Sequence, residues 1–139
     1  MGTTQNIDVF TDWIEAHRAH DLDSLVAFLT DDVTIKSAAG ADMPSAKGKE
    51  EARHHWQTIF TTFPDFRMEA VDLTAEGDTL FAEIAHGGTM QGPMGPKAPT
   101  GQSYLTQGAF RFDFSEGKIQ SILSYWDTGT MARQLGLTG

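Results

Sequence analysis

Gly101-Gln-Ser-Tyr-Leu-Thr-Gln-Gly-Ala-Phe-Arg-Phe-Asp-Phe-Ser-Glu-Gly-Lys-Ile-Gln-Ser-Ile-Leu-Ser-Tyr-Trp-Asp127 is the stretch whose reading decides the fold. Phe110, Phe112 and Phe114 alternate with Arg111 and Asp113. That period of two is the mark of a strand buried on one face. Ser115-Glu-Gly-Lys118 supplies turn residues, and Ile119 to Trp126 is a second run containing several β-formers. The pair reads as a long hairpin. Asp127 stands at its far end, and the remaining chain is expected to cover the hairpin and enclose that carboxylate.

Working back to the N-terminus, Ile7, Phe10, Trp13, Ile14 and His17 fall at helical spacing, with Thr4 or Asn6 available as a cap. His20-Asp21 breaks this helix, and Asp21 caps a short second one carrying Leu22, Leu25, Val26 and Leu29, which Asp31-Asp32 ends. Val33, Ile35 and Ser37 share one parity of a short strand. Residues 38–47, with Gly40 and Pro44, read as loop. Ala52, His55, Trp56, Ile59, Phe60 and Phe63 form the stripe of a third helix, with Glu50 and Glu51 at its positive end and Pro64 beyond its stop. Phe66 to Leu73 and Thr79 to Met90 read as strands around the turn Glu76-Gly-Asp78. On the second strand Leu80, Ala82, Ile84, His86 and Met90 share a face. Residues 91–101 hold three prolines and three glycines and read as a stiff loop placed to cover a cavity mouth. Thr130 to Leu135 reads as a last helix ended by Gly136.

The order is helix, helix, strand, helix, then four strands. Without βαβ alternation a parallel sheet is not expected, and the pattern points to α+β. A strongly bent antiparallel sheet around about three N-terminal-half helices makes a cone that can hold a small molecule. Residues 1–139 are expected to form one domain, because no repeat, linker or low-complexity tract divides them. A net charge of −9 disfavours nucleic acid and anionic membrane surfaces. No apolar run nears the roughly 20 residues of a membrane span. The N-terminus lacks the regions of a signal peptide, so the expected location is cytoplasmic. Absence of cysteine removes disulfides, thiolate nucleophiles and cysteine metal sites, and no histidine pair has helical zinc spacing. No metal is expected.

The chain resembles the SnoaL-like branch of the NTF2-like superfamily, the polyketide or ester cyclases. The resemblance is carried by Asp21-Leu-Asp, Gly48-Lys-Glu, Phe63-Pro-Asp-Phe66, Gly77-Asp78, Gly88-Thr89 with Gly92, Pro99-Thr-Gly101, Gly117-Lys-Ile119, and Asp127 followed by Gln134-Leu-Gly136. It implies a cone-shaped α+β barrel, often a homodimer through the outer sheet face. It also implies an aspartate at the position of Asp127 acting as acid/base in an intramolecular aldol closure, without cofactor, with a histidine on a neighbouring strand; His86 is the candidate. Ketosteroid isomerase chemistry is disfavoured, because Ser37 and Trp13 stand near where those enzymes place a carboxylate and a tyrosine.

An enclosed Asp127 would lose hydration, which raises its pKa from roughly 3.9 towards a useful range. The competing reading is a strand-end aspartate capping Thr128-Gly-Thr130. His86 lies on an apolar parity and is either a donor to a developing enolate or a core histidine. His17 and His55 continue apolar stripes, whereas His20 and His54 look solvated. Trp13, Trp56, Phe60, Met90, Tyr104 and Tyr125 are candidate walls for a flat apolar or aromatic ligand, or simply core. Arg53, Arg67 and Arg111 look outward-facing, which lowers an epoxide hydrolase or dehydratase reading. The expected function is a cofactor-free cyclase- or isomerase-like lyase acting on a small apolar carbonyl compound. The alternative is a non-catalytic ligand-binding or dimeric interaction module.

Overall fold

The computed structural model describes residues 2–38 and 45–137. Helices α1 (Thr3–Ala19) and α2 (Leu22–Ala27) lead into strand β1 (Leu29–Ser37); a two-residue β2 (Ala46–Lys47) precedes α3 (Lys49–Thr62). Four strands follow, β3 (Arg67–Glu76), β4 (Thr79–Thr89), β5 (Ser103–Ser115) and β6 (Lys118–Trp126), and then α4 (Thr128–Gln134). The sheet order is β2-β1-β6-β5-β4-β3.

The sheet is mixed and open, where the sequence led us to expect a wholly antiparallel one. β1 runs parallel to β6, with Thr34 to Ser37 opposite Ser121 to Ser124. The long connection through α3 and the hairpins permits this, because parallel neighbours need a crossover of a dozen residues or more. β1 is also longer than its alternating segment predicts: Asp31 and Asp32 lie inside the strand rather than ending α2. Of the predicted loop 38–47, residues 39–44 lie outside the described residues, and Ala46–Lys47 pairs with Ile35 and Thr34.

Of the signals at the first two helices, the break and cap at His20-Asp21 hold and the predicted cap of α1 does not. His20 turns the chain at φ 52° after α1, and the Asp21 carboxylate accepts from Ser24 N to start α2. At the start of α1, however, Gly2 is the cap and no side chain serves it. Asn6 is buried instead, donating to Gly77 O at 3.2 Å and Asp78 Oδ1 at 3.1 Å, and so ties α1 to the β3–β4 turn.

The hairpin β5–β6 forms the floor of the core. Phe110, Phe112 and Phe114 face inward, and Phe112 packs edge-on to Phe10 and Trp13 of α1 at 5.1 and 5.0 Å. A register break leaves Gln120 unmatched between Ser121↔Asp113 and Ile119↔Phe114. The bulge flips the parity of β6, so Ile119, Ile122 and Ser124 are buried whereas Tyr125 is exposed. A second break in β3 leaves Val71 unmatched and exposed. Bulges add local bend and twist, which suits a sheet that must curl around helices.

The loop 91–101 is fastened to the C-terminal end of α3. Thr62 O accepts from Gln91 N and Gly92 N at 2.9 and 3.1 Å, and Thr62 Oγ1 donates to Pro93 O at 2.8 Å. A Cβ on Gly92 would lie 2.4 Å from Thr61 O, so the contact requires glycine.

Phe112→Ala is expected to lower stability by about 3–5 kcal/mol through loss of buried area and a residual cavity, while Phe81→Ala, on the exposed face, costs under about 0.5 kcal/mol. Urea denaturation of both variants checks this. Equal losses would contradict the assignment of the inner face.

Candidate functional site

The concave side of the sheet and the helices enclose a cavity of about 1130 Å³. Its interior is walled by Trp13, His17, Trp56, Phe63, Phe66, His86, Tyr104, Phe110, Ile122 and Trp126, with Ser124, Met94 and Met131. Its rim carries Lys36, Lys47, Lys49, Glu50, Glu51 and His54. A second, more open hollow of about 580 Å³ is polar and lined by Asp32, Asp78 and Asp113. Asp113 is already held there by Arg111, Thr79 and Ser121, so that hollow offers no free chemistry.

His86 of β4 is 4% exposed. Its neighbour across the register is Thr106, and Tyr104 lies two residues further on the same face of β5. His86 Nδ1 is 2.9 Å from Tyr104 Oη, and Thr106 Oγ1 is 3.4 Å from Nε2. Trp126 stands edge-on at 4.7 Å and Phe110 at 6.0 Å. Burial among these rings removes hydration from the imidazolium and lowers the His86 pKa to about 4. Burial also pushes the Tyr104 phenol upwards, so both partners are uncharged at neutral pH.

His17 and His55 line the same cavity. His17 Nδ1 donates to the Trp13 carbonyl at 3.0 Å, a group that can only accept, which leaves Nε2 with its lone pair. Burial lowers its pKa to about 3 and that of His55 to about 4; the neighbouring His54 adds to the second shift. Among the described residues the cavity interior thus holds three uncharged imidazoles, and the lining carboxylates, Glu50 and Glu51, are exposed at the rim.

Asp127 is not among the lining residues, and this corrects the expectation of an enclosed carboxylate with a raised pKa. Its side chain is 67% exposed. It caps α4, accepting from Thr130 N at 3.0 Å and Thr130 Oγ1 at 2.6 Å. These bonds favour the charged form and lower its pKa. The helix begins at Thr128, two residues before the predicted start, because Asp127 is its cap.

The other candidates divide. Trp13, His17, His55, Trp56 and Tyr104 line the cavity. Phe60 does not: it stacks on His20 at 4.0 Å. His20 is therefore not merely solvated, and its Nε2 donates to Phe66 O at 2.8 Å. Met90 is fully buried core beneath Thr100, and Tyr125 faces outward after the β6 bulge. Arg53, Arg67 and Arg111 lie outside the lining, as expected. Reading the residues missed Thr106, Phe66, Ser124 and Trp126. Thr106 shares parity with Tyr104 and was legible; Ser124 and Trp126 required knowledge of the bulge.

Among the described residues no group of three or more His, Asp or Glu side chains is placed to hold a metal ion, and no helix is long and apolar enough to cross a membrane. An open, bent, mixed sheet with helices on its concave face and an apolar cavity between them defines the NTF2/ketosteroid-isomerase-like α+β cone. The chain belongs to the SnoaL-like polyketide cyclase family, whose profile matches residues 7–135. It is similar to a candidate SnoaL-like polyketide cyclase from Jannaschia sp. CCS1, at 18% identity and TM-score 0.86 over 99% of this chain and 95% of that one. It is also similar to IdmH, a candidate polyketide cyclase from Streptomyces antibioticus, at 25% identity and TM-score 0.77 over 95% and 99%. An LEH-like epoxide hydrolase from M. tuberculosis shares the fold at 16% identity and TM-score 0.75 over 96% and 90%. No curated protein matches the sequence significantly.

Two outcomes follow from the site. Below about pH 6.5 unfolded histidines take up protons that His17, His55 and His86 resist until about pH 3–4, so stability falls as pH drops through that window. Each contributes a slope of about 1.4 kcal/mol per pH unit near pH 5, and His17→Gln should remove one such share. Urea titrations between pH 5 and 7 measure it; an unchanged slope would mean that His17 is charged in the fold. Asp127→Ala should lower the urea midpoint and fray α4, while Asp127→Asn, still a competent cap, should retain most of it.

Proposed function

We propose that the chain is a cofactor-free acid/base enzyme acting on a small, largely apolar carbonyl compound, with His86 as the proton-transfer group. The observation that carries this reading is the uncharged His86–Tyr104 pair inside an apolar cavity. With Nδ1–H donating to Tyr104 Oη, Nε2 carries the lone pair; the Thr106 hydroxyl at 3.4 Å donates to it and must yield it for Nε2 to accept a proton from a carbon flanked by two carbonyls. The resulting enolate carbon attacks a receiving carbonyl carbon of the same molecule, forming one C–C bond. The receiving oxygen becomes an alkoxide and takes the proton back from His86 Nε2. Nothing is oxidised or reduced, and the imidazole ends as it began. Family membership supports a cyclisation of this aldol type.

A low pKa makes His86 a weak base, which suits an acidic dicarbonyl C–H rather than an isolated ketone. Activity should rise as pH increases through about 4, as the imidazolium loses its proton, and then level off. For Asp127 to act as acid/base, as the family resemblance implies, its carboxylate would have to leave Thr130 and turn inward past Trp126. The second reading, a non-catalytic binding module, is favoured by one observation: among the described residues no carboxylate reaches the cavity interior. The exposed Val71, Phe81, Leu105 and Tyr125 support the homodimer that the resemblance implies, which sedimentation would test.

Deuterium exchange at the central carbon of 1-phenyl-1,3-butanedione, followed by NMR, isolates the first proton transfer. His86→Ala should slow the catalysed exchange by about 10²-fold or more, and Asp127→Asn should leave it within a few-fold. If Asp127→Asn alone abolishes exchange, the base is Asp127. If the compound binds and the wild type catalyses no exchange, the binding-module reading replaces this one.

A further inference from the structure

Tyr104, His86 and Thr106 form a chain of polar side chains, and a count of its hydrogens leaves one unspent. The chain has two contacts, Tyr104 Oη to His86 Nδ1 at 2.9 Å and Thr106 Oγ1 to His86 Nε2 at 3.4 Å. An uncharged imidazole carries one N–H, and each hydroxyl carries one O–H. Three donor hydrogens therefore share two bonds, whichever ring nitrogen holds the proton. With the proton on Nε2, that N–H donates to Thr106 Oγ1, Tyr104 O–H donates to Nδ1, and the Thr106 hydrogen is left over. With the proton on Nδ1, Thr106 O–H donates to Nε2, Nδ1–H donates to Tyr104 Oη, and the Tyr104 hydrogen is left over. Neither hydroxyl has another hydrogen-bond partner among the described residues. Both residues are buried, but Tyr104 lines the cavity and Thr106 is not among its lining residues.

We infer that the Tyr104 hydroxyl is the cavity's donor to a ligand carbonyl oxygen, backed in series by His86 and Thr106. An O–H in an apolar wall that finds no acceptor costs free energy, and a carbonyl oxygen in the cavity supplies the acceptor that the wall lacks. Its arrival selects the Nδ1–H form, so three bonds run one way: Thr106 to His86, His86 to Tyr104, and Tyr104 to the ligand. Each bond in such a series polarises the next. The inference rests on the cavity being a site for carbonyl compounds, as proposed above, and adds to it a second group that touches the substrate. When the base takes the C–H proton, the bonding pair passes to the carbonyl oxygen, and Tyr104 meets the charge that develops there. Thr106 releases Nε2 at that step, while Nδ1–H still donates to Tyr104. The tyrosine keeps its own proton, because burial holds the phenol against ionisation. Thr106 acts through His86 and is a positioning residue. A hydrocarbon of the same shape leaves the hydroxyl unsatisfied, and an ammonium ion offers it no lone pair. The ligand class is a largely apolar ketone or its enol, held by oxygen.

The test binds acetophenone labelled with ¹³C at its carbonyl, with ethylbenzene as the probe that lacks an acceptor. Tyr104→Phe should weaken acetophenone by about five- to tenfold and leave ethylbenzene within about twofold. The infrared carbonyl stretch of the ketone bound to the wild type should lie below its value in hexane, a readout that needs no variant. Tyr104→Phe should return the stretch towards the hexane value. Thr106→Val should return it part of the way, and Thr106→Ser should keep the wild-type position, a pattern that loss of packing does not produce. A wild-type stretch as high as in hexane, equal losses of both probes in Tyr104→Phe, or no binding of acetophenone would overturn the donor. With 1-phenyl-1,3-butanedione, Tyr104→Phe should slow the catalysed exchange by about 10²-fold. A lowered stretch without any exchange leaves the donor standing and removes the acid/base reading. Exchange undiminished in Tyr104→Phe removes the donor and leaves His86 as the base.

Discussion

The parallel pairing of β1 with β6 is the constraint on which the cone depends. It joins the N-terminal half of the chain to the long β5–β6 hairpin, and it sets α3 and α1 over the same concave face. Leu29, Val33 and Ile35 of β1 and Ile119 and Ile122 of β6 are all buried along this seam. Hydrophobic burial is proportional to area removed from water, so a seam of five aliphatic side chains holds the sheet edge firmly. Remove the seam, and the cavity loses the wall that carries Ile35, Ile122 and Ser124.

The enclosure has an electrostatic result. A dry wall of aromatic rings does not exclude polar atoms, but it does exclude charge. Three histidines are accepted because each can stand neutral, and Tyr104 because its phenol stays protonated. Among the described residues the carboxylates that could have supplied a stronger base lie at the rim, as Glu50 and Glu51 do, or outside the lining, as Asp127 does. The described interior is therefore apolar, with uncharged donors and acceptors supplied by the three imidazoles, the Tyr104 phenol and the Ser124 hydroxyl.

Much of this was legible in the sequence because local period and local turn chemistry agree. The triplet Phe110, Phe112, Phe114 announced its face, His86 was placed inward with Leu80, Ala82 and Ile84, and Asp21 was recognised as a cap. What was illegible has a common cause: it depends on partners far away in the chain. The parallel seam has no local signature. Two-residue β2 is too short to have one. The bulge at Gln120 reverses which of Tyr125 and Trp126 points inward, and only the register with β5 reveals it. Asp127 is a different case. Thr128-Gly-Thr130 is a sound local capping signal, and here the local signal described the side chain better than the analogy with related enzymes did.

The anchoring of loop 91–101 to Thr62 also decides how molecules exchange with the interior. A loop held by three hydrogen bonds at the end of α3 is part of the wall and not a door. Among the described residues the charged lining side chains besides histidine are Lys36, Lys47, Lys49, Glu50 and Glu51, and exchange is expected past them. Those charges nearly cancel, although the chain as a whole carries −9. A portal of mixed sign produces little net field, so encounter is governed by diffusion and shape instead of attraction. The capture rate of a neutral ligand should then be nearly indifferent to ionic strength, and residence time alone would separate good ligands from poor ones.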